Sequence, residues 1–231
     1  MFKRFPEYDF SLTDSTQGLE VIMGYRRSVF KQVIATQRRA FNNAPRTLRP
    51  GALMSINFKG EWVNILFLHS ASGANKKAYE LRQRSFNKIW SLQKVLTKAS
   101  PSNKPNLIVL GDLNTMGNGK SVSGSDEIRN LQNKAKKNRM TMLTKDSDNT
   151  YHEWGKGPRD NRRRLRVNEI QTARRSNLDH VLANDYLNFV IHGDDDTAPI
   201  HVEGWQQLSG RHRVNFLWSL SDHSALYGQV Q

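Results

Sequence analysis

The sequence predicts a mixed α+β fold, and three consecutive segments carry this prediction. Residues 51–58 and 62–69 are two apolar runs separated by a Lys-Gly turn, a pattern typical of a β-hairpin. Residues 76–99 have apolar side chains at helical spacing, and residues 107–110 form a short apolar run followed by Gly-Asp-Leu-Asn. A strand, a helix and a second strand in this order indicate a crossover that covers one face of a sheet.

Length and composition favour one globular domain. The chain has 231 residues, of which 37% are hydrophobic, which is enough for a sizeable core, and we expect a single domain over residues 1–231. The absence of cysteine excludes disulfides, thiolate metal sites and a cysteine nucleophile. No run has the character of a signal peptide or the length of a membrane span, so a soluble, cytoplasmic protein is the default expectation.

The chain is strongly basic, with a formal net charge of +14 at pH 7. Such a charge favours a polyanionic partner, with nucleic acid first and an acidic membrane surface second. The alternative is a generally basic protein that has no such partner. Nucleic acid, DNA or RNA, is favoured because the basic residues cluster along the chain.

The densest cluster of basic residues lies in the segment 156–175, where only Asp160 and Glu169 oppose them. Gly155, directly before this segment, and Gly157 and Pro158 within it predict a long exposed loop. Arginine matches phosphate geometry with paired donors, so the loop is a candidate phosphate contact, and a merely solvated charged loop is the alternative. The candidate nucleic-acid-binding residues are Arg159, Arg162, Arg163, Arg164, Arg166, Arg174 and Arg175.

The segments before the hairpin give weaker signals. Residues 1–17 are mixed and polar and predict a loop, whereas residues 18–25 predict a strand. Residues 26–43 are basic and only loosely periodic, and prolines interrupt the chain at positions 45 and 50. The first strand is therefore expected near residue 18.

Residues 76–99 predict one long helix that ends at Ser100-Pro101. The lysines and arginines fall away from its broad apolar face, which is far more typical of a protein core than of a ligand site. The apolar residues are Tyr79, Phe86, Ile89, Trp90, Leu92, Val95, Leu96 and Ala99.

The second half of the chain is mostly polar, with short runs that predict strands at 150–154, 178–182 and 224–230. Residues 116–148 are polar, and their basic face is consistent with a short helix. The acids at 194–196 resemble a metal cluster. Three acids in a row more often form a solvated turn, and they are not included in the site.

Polar residues of the kind found in hydrolytic sites occur at strand ends. Asp112 and Asn114 follow the strand at 107–110, and His69 ends the strand at 62–69. Ligands of open sheets bind beyond strand ends, and His69 would lie beside Asp112 if these two strands are parallel. The alternative is that the polar side chains only cap turns, in the manner of an Asx-turn.

Two later stretches favour a catalytic site over a simple turn. They are Ser-Asn-Leu-Asp-His-Val, which contains Asp179, and Ser-Asp-His-Ser-Ala-Leu, which contains Asp222 and His223. Metal-assisted phosphoester hydrolysis needs oxygen ligands for a hard cation, an acceptor for the attacking water and donors for the transition state. No Gly-x-Ser-x-Gly motif and no phosphate-binding loop ending in Lys-Ser/Thr competes with this interpretation.

Together with Gly-Asp-Leu-Asn, these stretches form three motifs whose order resembles the endonuclease/exonuclease/phosphatase superfamily, the fold of DNase I and the exonuclease III-type repair endonucleases. The resemblance covers roughly residues 18–231. It implies an α+β fold in which two mixed sheets form a two-layered β-sandwich flanked by helices, with the site at one end. It also implies a phosphodiester hydrolase that depends on Mg²⁺ or Mn²⁺, most directly a nuclease acting on DNA or RNA.

The resemblance implies a role for each motif residue. Asp112 would activate or orient the attacking water, and Asn114 would contact the phosphate and help to hold Asp112. Asp179 would pair with His223, which would act at the scissile phosphate. Asp222 would be a metal ligand.

The beginning of the chain departs from the superfamily pattern, although His69 matches its phosphate-contacting histidine. Members usually begin with a strand ending in Asn and a second ending in Gln-Glu, and that Glu is the principal metal carboxylate. Neither strand is identifiable, and Glu20 falls in a strand that corresponds to a later one. We therefore expect a domain that is incomplete at the N-terminus and lacks the first strands.

Two other functions remain open at this point. One is a phosphatase or phospholipase-type phosphoesterase of the same fold, and the basic segment weighs against a small substrate but not against an anionic lipid. The other is an inactive nucleic-acid-binding fragment that has lost its metal carboxylate. The three intact motifs weigh against a long-standing loss of activity.

Overall fold

The computed structural model describes residues 4–14, 21–42, 50–119, 121–156, 163–191 and 198–231. The chain divides into two compact units. The first unit contains Met1–Met142 and His180–Leu187, and the second contains Leu143–Asp179 and Asn188–Gln231. The single domain over residues 1–231 stays a prediction.

Strands outnumber helices along the described residues. The strands are β1 (Tyr8–Leu12), β2 (Ile22–Arg26), β3 (Gln32–Arg38), β4 (Gly51–Phe58), β5 (Glu61–His69), β6 (Leu107–Asp112), β7 (Met140–Met142), β8 (Tyr151–His152), β9 (Gly155–Lys156), β10 (Arg163–Arg164), β11 (Arg175–Ser176), β12 (Asp179–Asn184), β13 (His201–Glu203) and β14 (Ala225–Tyr227). The α-helices are α1 (Lys76–Ala99), α2 (Gly124–Lys137), α3 (Val167–Ile170) and α4 (Gly210–Ser219).

A six-stranded mixed sheet with the strand order β3-β4-β5-β6-β12-β7 organises the first unit. β4 and β5 pair antiparallel, which confirms the predicted hairpin, and β5 pairs parallel with β6. α1 connects these two parallel strands as the predicted crossover. The register sets His69 opposite Asp112.

Successive side chains along a strand point to opposite faces of the sheet. The two faces pack against different elements. Leu66 and Leu68 pack with Ile89 of α1 and Leu131 of α2. The opposite face, which includes Met54, packs against side chains of β2. A mixed sheet with flanking helices confirms the predicted α+β class.

One prediction for the N-terminal region is wrong, and one segment without a predicted element contains a strand. The segment 1–17, predicted as a loop, contains β1, which pairs antiparallel with β2. The segment 26–43 contains β3, which pairs with β4 at the end of the strand order. β3 exposes most of its residues, so the apolar alternation that identifies a strand is weak there. The strand predicted at 18–25 is present as β2, which begins only at Ile22.

Small two-stranded sheets and short helices form the second unit around its own apolar cluster. β8 pairs with β11, β9 with β10, and β13 with β14, all antiparallel. Leu165, Trp205 and Leu217 are buried in the cluster. The segment 156–175 was predicted as a loop, and this is wrong for its described part, which contains β10, α3 and β11. Among the described residues, no helix combines the length and apolar character needed to cross a membrane.

Candidate active site

In the first unit, the ends of β5 and β6 bring a histidine and a carboxylate together. His69 Nε2 lies 3.2 Å from Asp112 Oδ2. The Ser70 backbone N–H donates to the Asp112 carbonyl oxygen at 2.8 Å, so the parallel pairing continues past the two side chains. Their side chains are 36% and 11% exposed. His69 and Asp112 therefore lie side by side, as predicted for two parallel strands.

The turn after β6 holds the Asp112 carboxylate in place. The Asn114 backbone N–H donates to Asp112 Oδ1 at 2.9 Å, and Asn114 Nδ2 donates to Asp112 Oδ2 at 2.6 Å. Asn114 Nδ2 also donates to the Ser70 carbonyl oxygen at 3.2 Å. Asn114 has a φ of 51°, which asparagine tolerates better than most residues. The Asx-turn of the alternative interpretation is present, and it fixes the position of the carboxylate.

The glycine of Gly-Asp-Leu-Asn is required by the backbone. Gly111 has a φ of 130°, and a Cβ at this position would lie 2.1 Å from the Leu68 carbonyl oxygen. The close approach of the two parallel strands therefore admits no side chain here. The strand end that carries Asp112 depends on this close approach.

A buried polar pair that the sequence did not reveal lies after this turn. Thr115 Oγ1 is 2.8 Å from His180 Nε2, and both residues are nearly inaccessible to solvent. Thr115 directly follows Asn114, and His180 belongs to β12. The pair links the Asp112 turn to another strand of the sheet. The two residues are 65 positions apart in sequence, which local motifs do not detect.

In the second unit, the structure brings Asp179 and His223 together. His223 Nδ1 lies 2.8 Å from Asp179 Oδ2, and their side chains are 27% and 10% exposed. The His223 backbone N–H donates to Ser221 Oγ at 2.9 Å, and its ring centroid lies 5.2 Å from that of Tyr151. A histidine that faces a carboxylate through Nδ1 has the orientation of its ring fixed.

The backbone of Asp179 is held by a buried threonine and a partly buried lysine that the sequence did not identify. Thr150 Oγ1 accepts from the backbone N–H groups of Leu178 and Asp179, both at 3.0 Å. Lys145 Nζ donates to the Asp179 carbonyl oxygen at 2.5 Å. Burial lowers the pKa of Lys145 to about 8, and the nearby Asp148 and Asp179 carboxylates partly oppose this shift.

Carboxylates and imidazoles supply the candidate metal ligands among the described residues. They are Asp112 in the first unit and Asp179 and His223 in the second. Carboxylate oxygens suit Mg²⁺, and Mn²⁺ accepts both carboxylates and imidazole. Asp222 is half-buried, and its backbone carbonyl accepts from the His152 N–H at 2.9 Å. Its role as a metal ligand stays a prediction.

The candidate nucleic-acid-binding arginines are only partly described. Arg159 and Arg162 lie outside the described residues, and for Arg163 the structure describes the backbone in β10 only. The other members of the set are exposed on the second unit and are available to a polyanion. They are Arg164, Arg166, Arg174 and Arg175.

Two of these arginines stack over tryptophan rings. The Arg164 guanidinium lies 5.1 Å from the Trp218 ring centroid, and that of Arg175 lies 5.8 Å from Trp205. Stacking fixes a guanidinium plane while its N–H groups can still donate to another group. These two guanidinium groups therefore already contact aromatic rings of the second unit.

Comparisons with known proteins identify the fold. No family model matches the sequence. No curated protein matches it either. Similar structures include TDP2 of D. rerio complexed with a single-strand DNA product, with 15% identity, 99% of this chain and 79% of that chain covered, and a TM-score of 0.60.

Two further structures agree with this result. The mannosyl-6-phosphatase of Bacteroides thetaiotaomicron has 16% identity, with 100% of this chain and 79% of that chain covered and a TM-score of 0.56. An endonuclease/exonuclease/phosphatase family protein of Leptotrichia buccalis has 16% identity, coverage of 97% and 71%, and a TM-score of 0.54. The chain has the endonuclease/exonuclease/phosphatase fold, which confirms the resemblance seen in the three motifs.

Proposed function

We propose that this chain, which has the endonuclease/exonuclease/phosphatase fold, is a divalent-metal-dependent phosphodiester hydrolase acting on DNA or RNA. The observation that carries the proposal is the distance of 2.8 Å between His223 Nδ1 and Asp179 Oδ2. These residues come from two of the three motifs. A histidine oriented by a carboxylate is one of the parts that phosphoester hydrolysis needs.

The Asp179–His223 pair would act on the phosphate itself. Asp179 fixes the ring of His223 and stabilises positive charge on it. His223 Nε2 would then donate to an oxygen of the scissile phosphate, where negative charge develops in the transition state. The 27% exposure of the His223 side chain leaves it accessible to a substrate.

Asp112 would accept a proton from the attacking water or orient it. Asn114 Nδ2 donates to Asp112 and to Ser70, so the structure supports the part of its role that holds Asp112. A phosphate contact by Asn114 would require its amide group to exchange one of these bonds. His69, 3.2 Å from Asp112, would contact the phosphate from the end of β5.

Asp222 would be a ligand of Mg²⁺ or Mn²⁺. When bound, such an ion polarises the phosphoryl oxygen and lowers the pKa of a coordinated water. The donor chemistry fits a hard divalent cation, since oxygen ligands predominate.

The proposal is tested with protein stripped by a chelator and then returned to Mg²⁺ or Mn²⁺. We expect hydrolysis of bis(p-nitrophenyl) phosphate and nicking of a plasmid to depend on the added ion. The rates with Mg²⁺ or Mn²⁺ are compared with the rate with Ca²⁺. His223→Ala, purified in parallel, controls for contaminating nucleases. The proposal would be contradicted if the stripped wild type, or His223→Ala with added ion, hydrolysed these substrates as fast as the metal-loaded wild type.

A phosphatase of the same fold is the second candidate function, supported by the likeness to a mannosyl-6-phosphatase. The exposed arginines favour a polyanionic substrate over a small one. Comparing p-nitrophenyl phosphate with its diester separates the two activities. Binding of DNA or RNA without hydrolysis of either ester would indicate the third alternative, an inactive binding protein.

A cytoplasmic location remains part of the proposal.

Neutralising the basic surface is expected to weaken nucleic-acid binding in a salt-dependent way. In a variant with Arg164, Arg166 and Arg174 replaced by alanine, the log–log salt slope on duplex DNA should fall by about 0.9 for each of these arginines that binds a phosphate. Affinity is measured by fluorescence anisotropy at several salt concentrations.

The matched control removes the same charge from exposed lysines of α1 and α2, with Lys94, Lys98 and Lys137 replaced by alanine. We expect this variant to keep the wild-type slope. Identical slopes for the wild type and the arginine variant would show that the arginines are only solvated. A weakening confined to one base sequence would point to base recognition and would likewise contradict phosphate binding.

A further inference from the structure

A fully buried ion pair lies between the two helices that follow β5 and β6. Arg82 of α1 donates from Nε to Glu127 Oε1 at 2.9 Å and from Nη2 to Glu127 Oε2 at 2.8 Å. Glu127 belongs to α2, and both side chains are 0% exposed. This bidentate geometry is the strongest form of an arginine–carboxylate pair.

The remaining donors of Arg82 bind backbone carbonyls in the two loops that carry site residues. Nη1 donates to Ala71 O at 3.0 Å and to Gly73 O at 2.8 Å. Nη2 donates to Gly117 O at 2.7 Å. With its two bonds to Glu127, Arg82 uses all five of its N–H donors.

Glu127, the second member of the ion pair, also binds the loop between β6 and α2. The Gly117 N–H donates to Glu127 Oε2 at 2.8 Å, so both polar backbone groups of Gly117 bind the ion pair. Gly117 has a φ of 77°, and a Cβ there would lie 2.1 Å from the Val122 carbonyl oxygen. The conformation of this loop therefore depends on both the glycine and the ion pair.

The order of the chain connects this network to the site. His69 ends β5, and Ala71 and Gly73 lie in the loop that leads from it to α1. Asp112 ends β6, and Gly117 lies in the loop that leads from it to α2. Each helix thus contributes one charged side chain that hydrogen-bonds to the loops following the ends of β5 and β6.

We propose that Arg82 and Glu127 are positioning residues, which hold His69 and Asp112 in register by fixing the loops behind them. The expected effect on catalysis rests on the proposed function, whereas the expected effect on the two loops does not. Fold stability alone does not account for the pair, since apolar residues of similar volume usually stabilise a core as well as a buried ion pair does. Apolar residues cannot bind three loop carbonyls and one loop N–H.

The test replaces the ion pair by apolar side chains in the double variant Arg82→Met, Glu127→Leu. Because both charges are removed, no unpaired charge stays buried, and we expect cooperative urea unfolding with a midpoint lowered only by the loop groups that lose their partners. We expect kcat for diester hydrolysis to fall about 10²-fold with little change in KM, because a displacement of about 1 Å has that effect. The amides of Gly73 and Gly117 should exchange hydrogen faster, and the His69 ring resonances should shift.

The matched control is Ile89→Ala, which removes buried volume from the sheet-facing side of α1 without touching either loop. We expect it to lower the unfolding midpoint while the loop amides and the His69 resonances stay as in the wild type. Arg82→Lys, which keeps the charge but not the planar fork, should restore exchange protection only in part.

Wild-type exchange at Gly117 and unchanged His69 resonances in the double variant would overturn the proposal. So would the same changes in Ile89→Ala, because they would show a general loss of stability. A double variant that fails to fold would also overturn it, since the ion pair would then be essential to the fold itself. These readouts need no activity, so they remain decisive if the wild type hydrolyses no phosphoester.

Discussion

His223→Ala and Asp179→Asn are each expected to slow hydrolysis by about 10²- to 10⁴-fold, the range for loss of a positioned acid–base group. The double variant should be little slower than His223→Ala alone. The reason is that Asp179 acts through the ring that it orients at 2.8 Å, so removing the ring leaves the carboxylate nothing to orient. Single-turnover rates at saturating metal ion measure the effect.

A second histidine–carboxylate pair in the same unit provides the control. His201 Nδ1 lies 3.2 Å from Asp146 Oδ2, and His201 stacks on Tyr227. His201→Ala and Asp146→Asn should change stability but leave the rate per folded molecule near that of the wild type. Fully additive losses for His223→Ala and Asp179→Asn would show that these two residues do not act as a unit.

The strand–helix–strand core could be predicted because its signals are local and strong. Asn75 caps α1 by accepting the Ala78 N–H at 3.0 Å, and the helix ends at Ala99, directly before Ser100-Pro101. The apolar run at 107–110 has a length typical of a buried parallel strand. Given parallel pairing, the neighbouring positions of His69 and Asp112 follow from chain order.

The missed strands lacked such signals. β1 has intermediate burial along most of its length, and β3 exposes most of its residues. Strands of this kind are stabilised by their pairing partners more than by an apolar pattern, so sequence periodicity cannot identify them. The glycines and proline that predicted a loop at 156–175 likewise gave no sign that Leu165 and Ile170 are core residues.

The polar residues of the site could be found because they occur in short motifs at strand ends, whereas their supports could not. Arg82 and Glu127 are 45 positions apart, and charged side chains on a helix were expected in solvent. One signal was available. Arg82 lies three residues after Tyr79 and four before Phe86, on the apolar face of α1, and Glu127 precedes the buried Leu131 by one turn. A charge within an apolar stripe predicts a buried partner.

Asp112→Asn tests the first unit and is expected to reduce kcat by about 10²- to 10⁴-fold with a much smaller effect on stability. An asparagine oxygen could still accept the Asn114 N–H now bound at 2.9 Å. Its amide group would face the donors Asn114 Nδ2 and His69 Nε2, which lie 2.6 and 3.2 Å from Asp112 Oδ2. We expect this mismatch to cost about 1–3 kcal/mol of unfolding free energy.

Asp185→Asn is the matched control, because it makes the same substitution at a solvent-exposed ion pair of the same unit. Asp185 Oδ2 lies 3.8 Å from Arg139 Nε, and such a surface pair contributes about 0–1 kcal/mol. The rate of hydrolysis and the stability of Asp185→Asn should stay near wild-type values. If Asp112→Asn folds and hydrolyses the diester within a few-fold of the wild-type rate, Asp112 does not activate the water. If activity returns only at high concentrations of Mn²⁺, its carboxylate acts chiefly on the metal ion, because a weakened ligand set is compensated by mass action whereas a missing proton acceptor is not.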